Sequence, residues 1–117
     1  MTRLAAALAA VLLITSACAS GAAGGGKASP VPTDHVDLPK SYKFEPAAIQ
    51  VVAGTTVTWT NDDNFTHSVE LEGQAAPIGV MKPGETVTYT FAAPGTYPYI
   101  CTFHPQDMRG VVQVVAR

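Results

Sequence analysis

The sequence predicts an all-β domain, a sandwich or barrel, and three observations carry that prediction. Apolar and polar residues alternate with period two in short runs. "TTVTWT" sets Val57 and Trp59 against Thr56, Thr58 and Thr60, and "ETVTYTF" sets Val87, Tyr89 and Phe91 against Thr86, Thr88 and Thr90. Strands that bury one face alternate in this way, with β-branched polar residues on the wet side. Turn-forming clusters fall between the runs: "AGT" at 53–55, "NDDN" at 61–64, "KPGE" at 82–85 and "APGT" at 93–96. No segment carries a helical period.

The elements follow in order. "MTRLAAALAAVLLITSAC" has a positive start at Arg3, an apolar run from Leu4 to Ile14, and small residues ending at Cys18. That run is far short of the roughly 20 residues of a spanning helix, so 1–17 reads as a secretory signal peptide. "TSAC" resembles a bacterial lipobox, with Thr15 where such boxes most often carry leucine. The resemblance implies that Cys18 is lipidated and becomes the new N-terminus, with the several acyl chains that stable anchoring needs. Residues 18–35 are rich in Gly, Ala, Ser and Pro, the composition of a flexible tether. The folded part is expected over 36–117. The protein is therefore expected to be exported and lipid-anchored on the extracytoplasmic side of a bacterial membrane, in a periplasm or at the cell surface. Strands are expected near 36–44, 48–52, 55–60, 66–72, 85–91, 96–101 and 110–116. Trp59, Phe91, Tyr97, Tyr99 and the valines would fill one core, and Pro98 in "YPYIC" points to an edge strand or a bulge.

Charge and cysteine usage narrow the function. Without Arg3 the chain keeps 6 basic and 9 acidic residues, a formal charge of −3. No basic stripe is present, which argues against a nucleic-acid partner. With Cys18 committed to lipid, Cys101 has no disulfide partner in a compartment that favours oxidation. Metal ligation and simple burial both explain such a thiol.

The loop "CTFHPQDM" joins two predicted strands and carries a thiolate, an imidazole and a thioether in Cys101, His104 and Met108. A further donor has to come from elsewhere. His67 opens the strand "SVELE", whereas His35 lies at the edge of the tether. Two imidazoles, one thiolate and a weak thioether are the donor set of a type 1 copper site. The alternative is that Cys101 is a small buried hydrophobe, the histidines are ordinary, and Met108 fills a gap as Met81 does. Gln106 stands too close to His104 to serve as a ligand.

Longer stretches favour the metal. "PGETVTYTFAAPGTYPYICTFHPQDMRGVVQV" closely resembles the C-terminal half of cupredoxins, particularly the amicyanin and plastocyanin group. "FEPAAIQVVAGTTVTWTNDDNFTHSVELE" resembles their N-terminal half. The resemblance implies a Greek-key sandwich of about seven to eight strands holding one type 1 copper. His67, Cys101 and His104 would be its equatorial ligands and Met108 the axial one. It further implies a one-electron carrier, monomeric, that exchanges electrons with a protein donor and acceptor docking near His104, beside Phe103 and Pro105. There are two departures. Three residues separate His104 from Met108, where amicyanins have two and plastocyanins four. Ser68 stands where the family often has an asparagine that ties the ligand loops together beside Thr102.

No nucleophile–base pair is visible, and a four-ligand copper site leaves no open position for substrate, so an enzyme is not expected. A dinuclear copper centre of the CuA type needs two cysteines in the loop, and only Cys101 is there. The competing function with the same ligands is an anchored protein that buffers or delivers copper. Asp62, Asp63, Glu70 and Glu72 read as a solvated acidic face, or as a surface that steers a basic partner.

Overall fold

The computed structural model describes residues 29–117. The proposed signal peptide and Cys18 lie outside the described residues. Among those described there is no helix, and nine strands form two sheets. The strands are β1 (Val31–Pro32), β2 (His35–Leu38), β3 (Ala48–Val52), β4 (Thr55–Asn61), β5 (His67–Leu71), β6 (Gly79–Met81), β7 (Thr86–Phe91), β8 (Gly95–Ile100) and β9 (Arg109–Val115). One sheet runs β1-β3-β9-β8-β5-β6 and the other β2-β4-β7.

The period-two rows seen in the sequence are the inner faces. Val57, Trp59 and Phe91 from the smaller sheet meet Val69, Tyr99, Val112 and Val114 from the larger one, all 3 % exposed or less. Trp59 meets Tyr99 edge to face across the layer at 5.5 Å. Burying these rows is the main stabilising term for a domain this small. Among the described residues Trp59 Nε1 and Tyr99 Oη are buried in this layer without a hydrogen-bond partner, and burial raises the Tyr99 hydroxyl pKa well above its ordinary value. The ring of Tyr99 lies across its cross-strand partner Gly110, where any Cβ would collide with it.

Four expectations change. The first strand stops at Leu38 instead of 44, because the chain turns at 40–42 and returns through Phe44, with Asp37 and Glu45 bonded to each other's backbone. Two short strands, β1 and β6, bring the number to nine instead of about seven to eight. β1 pairs in parallel with Ile49 and Gln50, so the sheet reaches into the stretch expected to be tether. Pro98 is on no edge strand: β8 lies between β9 and β5. Its missing N–H is tolerated because the β5–β8 ladder covers only Glu70–Ile100 and Leu71–Tyr99 and ends just before it.

The pairing also sets the site. β2, β4 and β8 run toward one end of the sandwich: β2 and β4 are parallel, the short connection from Asn61 to His67 starts β5 at the end where β4 stops, and β8 runs antiparallel to β5. The loops that leave β2, β4 and β8 therefore gather at that end.

Candidate metal centre

At that end each inner row finishes in a side chain that is not hydrocarbon. Trp59 is followed two residues on by Asn61, Tyr99 by Cys101; Val69 is preceded by His67 and Gly110 by Met108. Asn61, His67, Cys101 and Met108 are all fully buried. Alternation along four strands has aimed four heteroatom-bearing side chains at the mouth of one hydrophobic layer.

Cys101 and Met108 face each other across the open end of the β8–β9 hairpin. The Cys101 N–H donates to Met108 O at 3.1 Å, just beyond the last ladder pair, Ile100–Arg109. Inside the loop, His104 N–H donates to Cys101 O at 3.2 Å and Met108 N–H to His104 O at 2.9 Å. The loop holds its own shape through backbone bonds. Cys101 Sγ lies 3.7 Å from Nδ1 of His67 and accepts the Ser68 N–H at 3.4 Å. Ser68 does what the family's asparagine was expected to do. Its Oγ accepts the Thr102 N–H at 2.8 Å and bonds Thr102 Oγ1 at 2.6 Å, which ties the two ligand loops together.

The His104 ring is half-buried, with its centroid 5.6 Å from that of His67 and 4.7 Å from Tyr42. Exposed Tyr42 in turn stacks on exposed Phe65 at 5.5 Å, and the exposed Phe103 precedes His104 in the chain. Tyr42 went unnoticed in the sequence: it lies in the turn after β2 with φ +52°, a backbone conformation that no local pattern announces. His35 lies at the other end of β2 and is paired with Asp37 at 2.9 Å, apart from the cluster.

The acidic face is corrected in part. Asp62 and Glu72 are exposed and Glu70 is half-buried, but Asp63 is only 4 % exposed. Its Oδ2 is 2.8 Å from His67 Nε2. That hydrogen bond holds the Asp63 carboxyl below its ordinary range, against the opposing effect of burial.

Residues 35–115 match the sequence profile of copper binding proteins of the plastocyanin/azurin family. The chain belongs to the plastocyanin/azurin family. Amicyanin-alpha of Methylorubrum extorquens is 39 % identical to it over 105 residues, 86 % of this chain and 87 % of that protein. A purple cupredoxin from Nitrosopumilus maritimus superposes with a TM-score of 0.65 at 28 % identity, over 69 % of this chain and 98 % of the other. A reduced amicyanin variant does so with a TM-score of 0.63 at 37 % identity, over 69 % and 80 %. The chain spans about half the length of the chloroplastic plastocyanins of Tetradesmus obliquus and Physcomitrium patens that it also matches.

The donors fit the family's metal. A thiolate sulfur about 2.3 Å and an imidazole nitrogen about 2.0 Å from one ion, at a trigonal to tetrahedral angle, lie about 3.5–3.7 Å apart. The Cys101–His67 separation of 3.7 Å falls in that interval. Two imidazoles on one ion at the same angles bring their ring centroids to about 5–5.5 Å, close to the 5.6 Å between His67 and His104. Among the described residues no three His, Cys, Asp or Glu side chains stand at metal-holding separation.

Proposed function

We propose that this protein carries single electrons on one type 1 copper ion, which His67, Cys101, His104 and Met108 would hold. The observation that carries the assignment is the buried Cys101–His67 pair, at the separation two donors of one ion adopt. Copper, when bound, supplies the Cu(II)/Cu(I) couple. The protein supplies a soft thiolate, whose charge the Ser68 N–H stabilises, imidazoles suited to either oxidation state, and a thioether that binds weakly. Because Cys101, His67 and Met108 are sealed from water, little solvent has to reorganise when an electron moves. The half-exposed His104, packed against Tyr42 and next in the chain to the exposed Phe103, is the contact through which a protein donor or acceptor would exchange that electron.

Burial of the sulfur ligands favours carrying over delivery, since an acceptor protein has to reach the donors it displaces. A filled ligand set likewise favours a carrier over an enzyme. We place the domain on the outer face of a bacterial membrane, tethered through lipid on Cys18. The reading of "TSAC" and the chain before it supports that placement.

Visible and EPR spectra of the full-length chain in detergent, loaded with Cu(II), test the site. We expect an intense thiolate-to-copper band with narrow hyperfine splitting, abolished in Cys101→Ala and retained with a lowered reduction potential in Met108→Gln. A pale tetragonal spectrum indifferent to Cys101 would refute the assignment. Ready loss of copper to a chelator without reversible redox cycling would favour delivery. Cys18→Ser should release the protein from the membrane fraction; unchanged partitioning would remove the anchor from the proposal.

A further inference from the structure

The two ring nitrogens of His67 have different neighbours. Nδ1 faces Cys101 Sγ at 3.7 Å, and Nε2 meets Asp63 Oδ2 at 2.8 Å. Both side chains are sealed, His67 at 0 % and Asp63 at 3 % exposure. Asp63 is itself fixed by two further hydrogen bonds. Its Oδ1 accepts the Asn64 N–H at 2.7 Å. Its own N–H donates to Asn61 Oδ1 at 2.9 Å, and the Asn61 amide is pinned to Phe65 O at 2.8 Å and Met81 O at 3.0 Å. A carboxylate held this way, next to a buried imidazole, is out of reach of any docking partner.

We propose that Asp63 is a positioning residue for the copper site: it keeps the His67 proton on Nε2, leaves Nδ1 bare toward Cys101, and stabilises Cu(II) over Cu(I). A neutral imidazole has one N–H and one lone pair, and an ionised carboxylate can only accept. Asp63 therefore selects the tautomer whose free lone pair points at the thiolate, and locks the ring's rotation. A negative charge buried close to a metal ligand interacts through low-dielectric surroundings and favours the more positive metal. The inference rests on the copper reading given above, and its test separates the two.

In the metal-free full-length chain in detergent, long-range proton–nitrogen NMR of His67 should place the proton on Nε2; a proton on Nδ1 overturns the proposal. Asp63→Asn keeps the shape and removes the charge. We expect it to retain the thiolate-to-copper band while Cu(II) affinity falls about 10–100-fold. A tenfold loss confined to Cu(II) raises the reduction potential by about 59 mV. Asp63→Ala should also broaden the hyperfine pattern as the ring loses its hold. Should that variant not fold, Asp63→Asn and the tautomer measurement decide alone. Wild-type potential and Cu(II) affinity in Asp63→Asn overturn the proposal with the carrier reading intact. A wild-type chain that shows no type 1 spectrum overturns the carrier reading, and Cu(II) stabilisation by Asp63 falls with it.

Discussion

The two histidines of this site are held by opposite means. His67 is fully buried, starts a strand, and is bonded through Nε2 to a carboxylate that is anchored by Asn61. His104 sits in a loop, half-buried, and among the described residues no hydrogen bond holds its ring; it rests edge-on against Tyr42 and faces His67. The polar, dry side fixes a donor, and the aromatic, wet side leaves one near the surface. An electron carrier needs both, since a site rigid on every side would be insulated and one loose on every side would reorganise with each electron.

The largest expected effect comes from the fixed side. Asn61→Ala strips partners from the Phe65 and Met81 carbonyls and the Asp63 N–H, all close to the buried site. Leaving buried groups unpaired costs about 2–4 kcal/mol here, or roughly 15 °C in Tm for a domain of this size. Thermal and denaturant unfolding of the metal-free protein would measure it. A shift within a degree or two would mean that the polar side contributes no more to holding the site than the aromatic side.

Ser68→Ala comes next and acts on the link between the sides. The Ser68 hydroxyl joins β5 to the ligand loop through both the backbone and the side chain of Thr102. Its loss should cost about 1–2 kcal/mol and raise hydrogen exchange at Thr102. Exchange unchanged there would show that the loop's own backbone bonds suffice. Ser68→Asn, which restores the residue common in the family, should recover most of the loss.

How far the sequence foretold this arrangement follows from the same contrast. The inner rows were legible because strand alternation is a local rule: Trp59, Phe91, Tyr99, Val57, Val69, Val112 and Val114 are buried as their spacing demanded, and Tyr97 is half-buried at the edge of the core. Cys101 and Met108 were legible as members of a loop between two such rows, and His67 as the start of a third. Asp63 was misread because an acidic cluster after a turn is usually solvated, and nothing local reveals that one member folds inward onto a histidine four residues on. The early end of the first strand was hidden for a related reason. "KSY" contains no Gly or Asn, yet Tyr42 takes a left-handed conformation because tertiary contacts with Phe65 and His104 favour it. β6 is only three residues long, and its Gly79 is too closely packed against Val87 for a side chain, a constraint set by a neighbour rather than by pattern.

Tyr42 also supplies the smallest expected effect on stability. A left-handed tyrosine carries a steric penalty of about 1–2 kcal/mol that glycine does not, while glycine costs about 0.5–1 kcal/mol in chain entropy and forfeits the ring's contacts with Phe65 and His104. Such aromatic contacts contribute about 0.5–1.5 kcal/mol, so the terms nearly cancel. Tyr42→Gly should therefore unfold within about 1 kcal/mol of the parent. The exit side should nonetheless respond. With the ring gone from one flank of His104, the apolar contact surface shrinks, and electron self-exchange between Cu(I) and Cu(II) protein, followed by NMR line broadening, should slow. A variant that loses as much stability as Asn61→Ala, or exchanges electrons at the parental rate, would mean that Tyr42 is part of the scaffold and that the division between a fixing side and an exit side is drawn in the wrong place.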